Sequence, residues 1–125
     1  MPNLLIVGDV KEAGFGIKRL LEMDHYRVLI AATEQEAVES ARHNRPDLLL
    51  VDLRRPPLDT AAISRRIRRR ARLKRDVPIV IITVVTPEME YKDTALSHNV
   101  HVTYSVEFEQ LEDLLRHLLH ARAAT

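Results

Sequence analysis

The sequence is poor in several residue types that support particular functions. It has no cysteine and no tryptophan, and its aromatic residues are two phenylalanines and three tyrosines. Without cysteine, the chain can form no disulfide and offers no thiolate zinc site or thiol nucleophile. So few aromatic side chains argue against a surface that stacks nucleic-acid bases.

Long apolar runs are also missing. No stretch reaches the roughly 18 consecutive apolar residues of a transmembrane helix. The N-terminal residues lack the basic segment and long apolar stretch of a signal peptide. We therefore expect a cytoplasmic protein with no membrane partner.

The composition is that of a globular domain. The 125 residues are 46% hydrophobic and 30% charged, which provides enough apolar material for a core. A formal net charge of +1 gives no overall attraction to nucleic acid or membranes, so such a partner would need a local patch. We expect a single domain over residues 1–125, with a core over about 3–120 and with 121–125 as a tail or the start of a linker.

Five short apolar runs predict strands. They lie at residues 4–7, 27–31, 48–51, 77–82 and 100–104. The third and fourth runs are continuously apolar, as expected for strands that are covered on both faces. In the fifth run, Val100, Val102 and Tyr104 alternate with polar residues, which predicts a more exposed strand.

Segments with helical periodicity separate these runs. In the first, Ile17, Leu20 and Leu21 form a core stripe. The second opens with a capping box in which Thr33 bonds forward and Glu36 bonds back. Further helices are predicted over about residues 60–70 and 88–98, and a last helix carries the stripe Leu111, Leu114, Leu115, Leu118 and Leu119.

The predicted helix over residues 88–98 would bury Ala95 and Leu96 and end at Asn99 in a left-handed conformation. Strands and helices thus alternate five times, which implies a parallel sheet with helices on both faces. The predicted fold class is a doubly wound α/β architecture with three layers, α/β/α, around a five-stranded parallel sheet.

The residues that follow the predicted strands are candidates for a functional site, because open parallel sheets place functional groups at these ends. These residues are Gly8, Asp9, Asp52, Thr83, Ser105, Val106 and Glu107. Asp9 and Asp52 together could hold Mg²⁺, and a carboxylate beside such a cation can act as a nucleophile toward phosphorus. Alternatively, Asp9 caps the first helix and Asp52 merely ends a strand.

Four segments give the chain a family resemblance. "LLIVGDV", "PDLLLVDLRRPPLD", "VPIVIIT" and "EQLEDLL" are similar to the corresponding parts of the receiver domain of bacterial two-component response regulators. The resemblance extends from Asn3 to about His120. It implies the (βα)5, flavodoxin-like receiver fold for this chain.

The resemblance also implies roles for particular residues. Asp52 would be the phosphoacceptor, and Asp9, Asp52 and the backbone carbonyl of Arg54 would hold Mg²⁺. Thr83 would bond the phosphoryl group and pull its loop inward. Tyr104 resembles the family's aromatic switch residue, although an ordinary strand aromatic explains it equally well.

Three positions depart from the family pattern. Gly8 stands where the family has the first of two adjacent acids, so one metal-facing carboxylate is missing. The lysine that follows the family's fifth strand is replaced by Val106 or Glu107, depending on the register. Val84 follows the switch threonine where the family has a small residue, and its branched side chain would crowd the approach of a phosphoryl donor.

These departures favour a degenerate receiver, or pseudo-receiver, which is not an enzyme. It would bind Mg²⁺ weakly, with little or no phosphorylation at Asp52, and would act on a protein partner, a histidine kinase or a downstream effector. The expected surface lies over residues 88–119, and the family's dimerisation through this region leaves a homodimer open. The alternative is a conventional Mg²⁺-dependent receiver, phosphorylated on Asp52 by a histidine kinase, in which Arg54 or Arg55 replaces the lysine.

A basic run, "RRIRRRARLKR", occupies residues 65–75. It raises a third hypothesis, a nucleic-acid-binding helix whose salt-sensitive affinity would be lost when Arg68, Arg69 and Arg72 are neutralised. The interpretation we favour is a solvated outer face of the third helix, and an acidic protein partner is as plausible as nucleic acid.

Overall fold

The computed structural model of the chain describes residues 1–8, 11–83, 94–96, 98–103 and 107–123. Its strands are β1 (Asn3–Gly8), β2 (Arg27–Ala31), β3 (Leu48–Asp52), β4 (Ile79–Ile82), β5 (Thr94–Leu96) and β6 (Val100–Thr103). Its helices are α1 (Lys11–Met23), α2 (Glu34–His43), α3 (Pro57–Arg70) and α4 (Phe108–Ala123). Among these helices, none is both long and apolar enough to cross a membrane.

The strands form one sheet in the order β2-β1-β3-β4-β6-β5. All neighbouring pairs from β2 to β6 are parallel, and β5 runs antiparallel to β6 at the edge. The strand order reverses between β1 and β3, which is the point where open sheets of this kind bind ligands. The register pairs Gly8 with Asp52, so these residues lie side by side at the carboxyl end of the two strands.

Among the described residues, two helices cover each face of the sheet. On one face, α2 and α3 contribute residues such as Val38 and Ile67 to a core that includes alternate residues of β3. On the other face, Leu21 of α1 and Leu115 of α4 pack against the intervening residues of the same strand. The predicted three-layer α/β/α architecture is thereby confirmed.

The four apolar residues of β3, Leu48–Val51, have no exposed surface. A strand in the middle of a two-sided core buries every side chain, so an alternating pattern is unnecessary. Burial of a leucine or valine side chain contributes about 1.5–3 kcal/mol relative to exposure. This strand is therefore held firmly, and its C-terminal residue, Asp52, has a fixed position at the sheet edge.

The capping box predicted at the start of α2 is present, but one of its two hydrogen bonds has a different donor from the usual one. Thr33 Oγ1 accepts a hydrogen bond from the backbone N–H of Glu36 at 3.1 Å. The Glu36 carboxylate accepts from the backbone N–H of Ala32, at 2.8 Å, and not from that of Thr33. Such bonds satisfy backbone donors that the first turn of a helix leaves without partners.

The helix predicted over residues 88–98 is wrong in its C-terminal part. Residues Thr94–Leu96 form β5, in which Ala95 is exposed and Leu96 is partly buried. The reason is a turn at His98 and Asn99, whose φ angles of 65° and 59° reverse the chain so that Leu96 pairs with Val100. Asn99 is left-handed as predicted, but it belongs to a hairpin. The part of the prediction over 88–93 lies outside the described residues.

Two burial predictions also need correction. Leu20, expected in the core stripe of α1, is 42% exposed, whereas Leu21 of the same stripe is fully buried. The fifth predicted strand is not exposed, because β6 lies inside the sheet between β4 and β5, and its Val100 and Val102 are buried. The leucine stripe of α4 is present, with Leu111 and Leu115 buried and the other three partly buried: Leu114, Leu118 and Leu119.

Candidate functional site

The carboxyl ends of the parallel strands bring four residues to one edge of the sheet. Gly8 ends β1, Asp52 ends β3, Thr83 follows β4 directly, and Thr103 ends β6. Val51 pairs with Ile81, so Thr83 lies one residue beyond the position opposite Asp52. The edge therefore places the predicted phosphoacceptor between the predicted switch threonine and the glycine that replaces an acid.

Asp52 lies at the tip of the most buried strand. Its side chain is partly exposed, while the preceding four residues and Leu53 after it are buried. Arg54 then adopts a left-handed backbone with φ 55°, which turns the chain sharply before the helix. The Asp52 carboxylate therefore reaches solvent from a backbone whose neighbouring side chains are held in the core.

The segment after Asp52 has an ordered path into α3. Pro57 is the first residue of α3, where its missing N–H costs nothing. Arg54 and Arg55 are both exposed, and the Arg55 carbonyl accepts a bond from Thr60 Oγ1 at 3.4 Å. The two arginines are thus held near Asp52 by the backbone, with their side chains at the surface.

Gly8 makes a close approach to the acceptor strand. A Cβ atom at position 8 would lie 3.1 Å from the backbone carbonyl oxygen of Asp52, which is closer than a normal van der Waals contact. Any side chain at this position would require a shift of β1 or β3. The glycine therefore matches the local backbone as well as removing a carboxylate.

Thr83 and Thr103 are connected across the edge through their backbones. The Thr83 N–H donates to the Thr103 carbonyl at 3.1 Å, which extends the pairing of β4 with β6. The Thr83 side chain is partly exposed, and Thr103 is buried. Thr83 is consequently positioned at the surface of the edge by a fixed backbone.

Glu107 lies just before α4 and is exposed. Its carbonyl accepts the backbone N–H of Leu111 at 3.2 Å, which starts the helix. Five other candidate residues lie outside the described part of the chain: Asp9, Val84, Tyr104, Ser105 and Val106. Within the described ranges, no three side chains of His, Cys, Asp or Glu are grouped closely enough to hold a metal ion.

The expected solvated face holds for most of the basic run, whose exposed residues are Arg66, Arg69, Arg70, Arg72, Lys74 and Arg75. Arg66 and Arg70 contact Glu34 of α2, with a 2.9 Å bond from Arg66 Nε and a 2.9 Å bond from Arg70 Nη1. These contacts hold the pKa of the Glu34 carboxyl below its usual value, first through the Arg66 hydrogen bond. Part of the run's charge is therefore used to join α2 to α3.

Arg68 contradicts the expectation of an exposed face most clearly. Its side chain is buried, and its two Nη groups donate to the carbonyls of Val77, at 3.2 Å, and of His98. Burial lowers its pKa, and the positive charges of Arg65 and Arg75 lower it further. Arg68 joins α3 to the segments that precede β4 and β6, so its neutralisation would damage the fold before it tested nucleic-acid binding.

A sequence signal for this buried arginine was present. Ser64, Ile67, Arg68 and Ala71 follow the i, i+3, i+4, i+7 pattern of a core-facing stripe, and all four are buried. Arg122, another residue that the sequence did not single out, bonds Asp47 at 2.6 Å and ties the end of α4 to the opposite edge of the sheet. No periodicity in the sequence indicates that contact.

Comparison with known proteins gives a consistent result. Residues 4–117 match the sequence profile of the response regulator receiver domain. The response regulator ArlR of Staphylococcus haemolyticus is 30% identical over 121 residues, which cover 95% of this chain and 53% of that protein. The transcriptional regulatory protein AfsQ1 of Streptomyces coelicolor is 30% identical over 90 residues, 72% of this chain and 38% of that protein. The chain spans about half or less of these curated relatives.

Solved structures share the fold at low sequence identity. A sensor protein from Polaromonas sp. JS666 superposes with a TM-score of 0.74 and 20% identity, covering 97% of this chain and 98% of that one. The response regulator protein TrrA from Thermotoga maritima, in complex with Mg²⁺ and BeF, gives a TM-score of 0.68 and 22% identity over 94% of this chain and 99% of that one.

Proposed function

Because the chain belongs to the response regulator receiver domain family of two-component signalling, we propose that it works as a degenerate receiver. In this proposal Asp52 carries a phosphoryl group weakly or not at all, and the domain acts by binding a protein partner. It performs no catalysis of its own. The same family membership makes a conventional phosphoacceptor the natural alternative.

The observation that supports the proposal most is the close approach at Gly8. A receiver holds Mg²⁺ during phosphorylation, and here the ligands would be Asp9, Asp52 and the backbone carbonyl of Arg54. Mg²⁺ affinity rises with the number of carboxylate ligands, so the loss of one at position 8 weakens it. A Cβ atom there would lie 3.1 Å from the Asp52 carbonyl, so an acid at this position would require a shift of a few tenths of an ångström between β1 and β3.

The charge around the acceptor supports the same conclusion. The last lysine in the sequence is Lys92, so no lysine follows β6. In its place, the described chain resumes at Glu107, an exposed carboxylate directly before α4. The family's lysine would neutralise the phosphoryl oxygens, and the segment after β6 offers no lysine to do so.

The proposed output surface lies over residues 88–119, and its described part consists of β5, β6 and the first three turns of α4. A histidine kinase or a downstream effector is the proposed partner, and a second copy of the chain could use the same surface. The exposed residues available there include Ala95, His98, Glu109 and Gln110. Within the described part of the chain, β5 pairs with β6 alone, and its other side is where a partner strand could add to the sheet.

The conventional alternative has support of its own. Asp52 is anchored at the strand tip, Thr83 lies near it, and Arg54 and Arg55 are exposed beside it. The structural relative TrrA was solved with Mg²⁺ and BeF. If an arginine supplies the missing positive charge, this chain would be phosphorylated on Asp52 in the family's usual way.

A calorimetric titration with Mg²⁺ separates the two. We expect no saturable binding, and the same small heats for the unaltered chain and for Asp52→Asn. Gly8→Asp supplies the missing carboxylate and should raise the Mg²⁺ affinity above that of the unaltered chain. Saturable binding that Asp52→Asn abolishes would contradict the proposal and favour the conventional receiver.

A further inference from the structure

A cavity lined by basic residues lies away from the candidate phosphoacceptor edge. It has a volume of about 440 Å³, and its lining residues are Arg65, Arg68, Arg69, Leu73, Arg75 and His98. Four arginines and a histidine thus line one concave space. No carboxylate is among these lining residues, all of which belong to the described part of the chain.

The position of the cavity follows from the fold. The last turns of α3 form one wall, and the segments that lead into β4 and β6 form the other. Those segments lie at the amino ends of the strands, whereas Asp52 lies at the carboxyl end of β3. Five residues of β3 at about 3.3 Å each separate the two edges by roughly 17 Å.

One residue that lines the cavity is held in place by the backbone. Arg68 is buried, and both of its Nη groups are held by backbone carbonyls, those of Val77 and His98. The charges of Arg65 and Arg75 are close enough to lower its pKa in addition to the effect of burial. Like charges held together in this way are relieved by an anion placed among them.

The end of α3 fixes the remaining lining residues. The Arg72 N–H bonds the Arg69 carbonyl at 3.1 Å, and the Leu73 N–H bonds the Arg68 carbonyl at 2.9 Å, which together form a Schellman motif. Arg72 occupies its left-handed position, with φ 56°. The motif turns Leu73 back to line the cavity beside Arg69, so the cavity has one apolar wall among the basic ones.

We propose that this cavity binds a small ligand that carries two or more phosphoryl groups. Guanidinium groups match phosphate oxygens with paired hydrogen bonds, and several of them converge here on one space. The volume falls within the range of about 300–1,000 Å³ that is typical of small-molecule sites. The site is independent of phosphorylation at Asp52, and so goes beyond the proposed receiver function.

A small ligand fits the charge distribution better than nucleic acid. A nucleic-acid strand needs an extended basic path, but Arg66 and Arg70 of the same run are engaged by Glu34 on another side of α3. The cavity lining contains no aromatic residue on which a base could stack. The exposed Arg69 and Arg75 thus place positive charge at the pocket itself.

Calorimetric titration with inorganic triphosphate at physiological salt tests the proposal. We expect saturable binding with one site per chain. Arg69→Gln and Arg75→Gln, made singly, should each weaken it by about tenfold, because each removes a charge-assisted hydrogen bond from a side chain that is exposed. Arg72→Gln is the matched control: it removes one charge from the same run, lies outside the cavity lining and should change affinity less than about twofold.

Two further titrations complete the test. ATP compared with triphosphate separates a nucleotide from a bare phosphate chain, and binding of either with the expected variant pattern supports the site. A single-stranded oligonucleotide that binds while triphosphate does not would overturn the proposal, as would an equal loss in Arg72→Gln. Asp52→Asn should bind triphosphate normally, so failure here is distinguishable from failure of the receiver proposal.

Discussion

At the scale of single residues, burial separates arginines that look alike in the sequence. Arg68 and Arg69 are neighbours in a basic run, but Arg68 is buried and bonded to two carbonyls, while Arg69 is exposed. The helical spacing places Arg68 on a buried stripe, but its charge led to the prediction of an exposed side chain. For this residue the periodicity predicts burial better than the charge does.

This difference predicts unequal effects on stability. Arg68→Ala should lower the free energy of unfolding by about 2–4 kcal/mol, because it removes the donor to the buried Val77 carbonyl and to the partly buried His98 carbonyl and opens a cavity. Arg69→Ala, the matched control, should change it by no more than about 0.5 kcal/mol. Urea unfolding measures both, and equal losses in the two variants would show that Arg68 is not the structural residue described here.

The candidate site was predicted unevenly at this scale. Asp52 and Thr83 were found because each directly follows a strongly apolar run, and the structure places them on neighbouring strands. The close approach at Gly8 could not be predicted, because it depends on the spacing of β1 and β3 and not on any local pattern. The roles assigned to Asp52 and Thr83 stay predictions. So do those of four residues that lie outside the described ranges: Asp9, Val84, Tyr104 and Val106.

At the scale of helices and strands, strong periodicity was sufficient to predict an element, whereas the shortest strand could not be predicted. The continuous runs in β3 and β4 and the leucine stripe of α4 identified their elements, because burial on two faces or on one stripe leaves a clear pattern. The strand at Thr94–Leu96 has three residues, too few for a pattern. It forms because of pairing with β6 and a turn with positive φ, both of which are set outside it.

The link between α2 and α3 predicts a dependence on pH. The Arg66 hydrogen bond lowers the pKa of Glu34 in the folded chain, so this contact stabilises the fold above the unfolded pKa of about 4.3 and is lost as pH falls through the folded value. Glu34→Gln should therefore have a lower Tm than the unaltered chain at pH 7, and the difference should shrink toward pH 3.

Gln35 is the neighbour of Glu34 and accepts a hydrogen bond from Arg70 at 3.1 Å. Because its side chain carries no charge, it offers a control for the ion pair. Gln35→Ala removes a contact between the same two helices without removing a titratable group, so its effect on Tm should not vary with pH in this range. Thermal unfolding followed by circular dichroism at several pH values provides the measurement. A Glu34→Gln difference that stays constant from pH 7 to pH 3 would contradict the proposed role of the ion pair.

At the scale of the whole molecule, the two ends of the parallel strands carry different groups. The carboxyl ends hold Asp52 with the exposed Arg54 and Arg55 beside it, while the amino ends hold the basic cavity around Arg68. A net charge of +1 gives no sign of this cavity, which the fold assembles. The fold class was predictable because alternating strands and helices permit few arrangements. The single domain over residues 1–125 stays a prediction, and the family match covers 4–117.

The central claim is that the fold of a receiver has been kept here while its phosphoryl chemistry has been weakened. Intact-mass spectrometry after incubation with acetyl phosphate and Mg²⁺ tests it most directly, with Asp52→Asn as the control and a conventional receiver treated in parallel. We predict no added mass on this chain under conditions that phosphorylate the conventional receiver. One added phosphoryl group that is absent from Asp52→Asn would contradict the claim, and would indicate that an arginine near Asp52 has replaced the missing lysine.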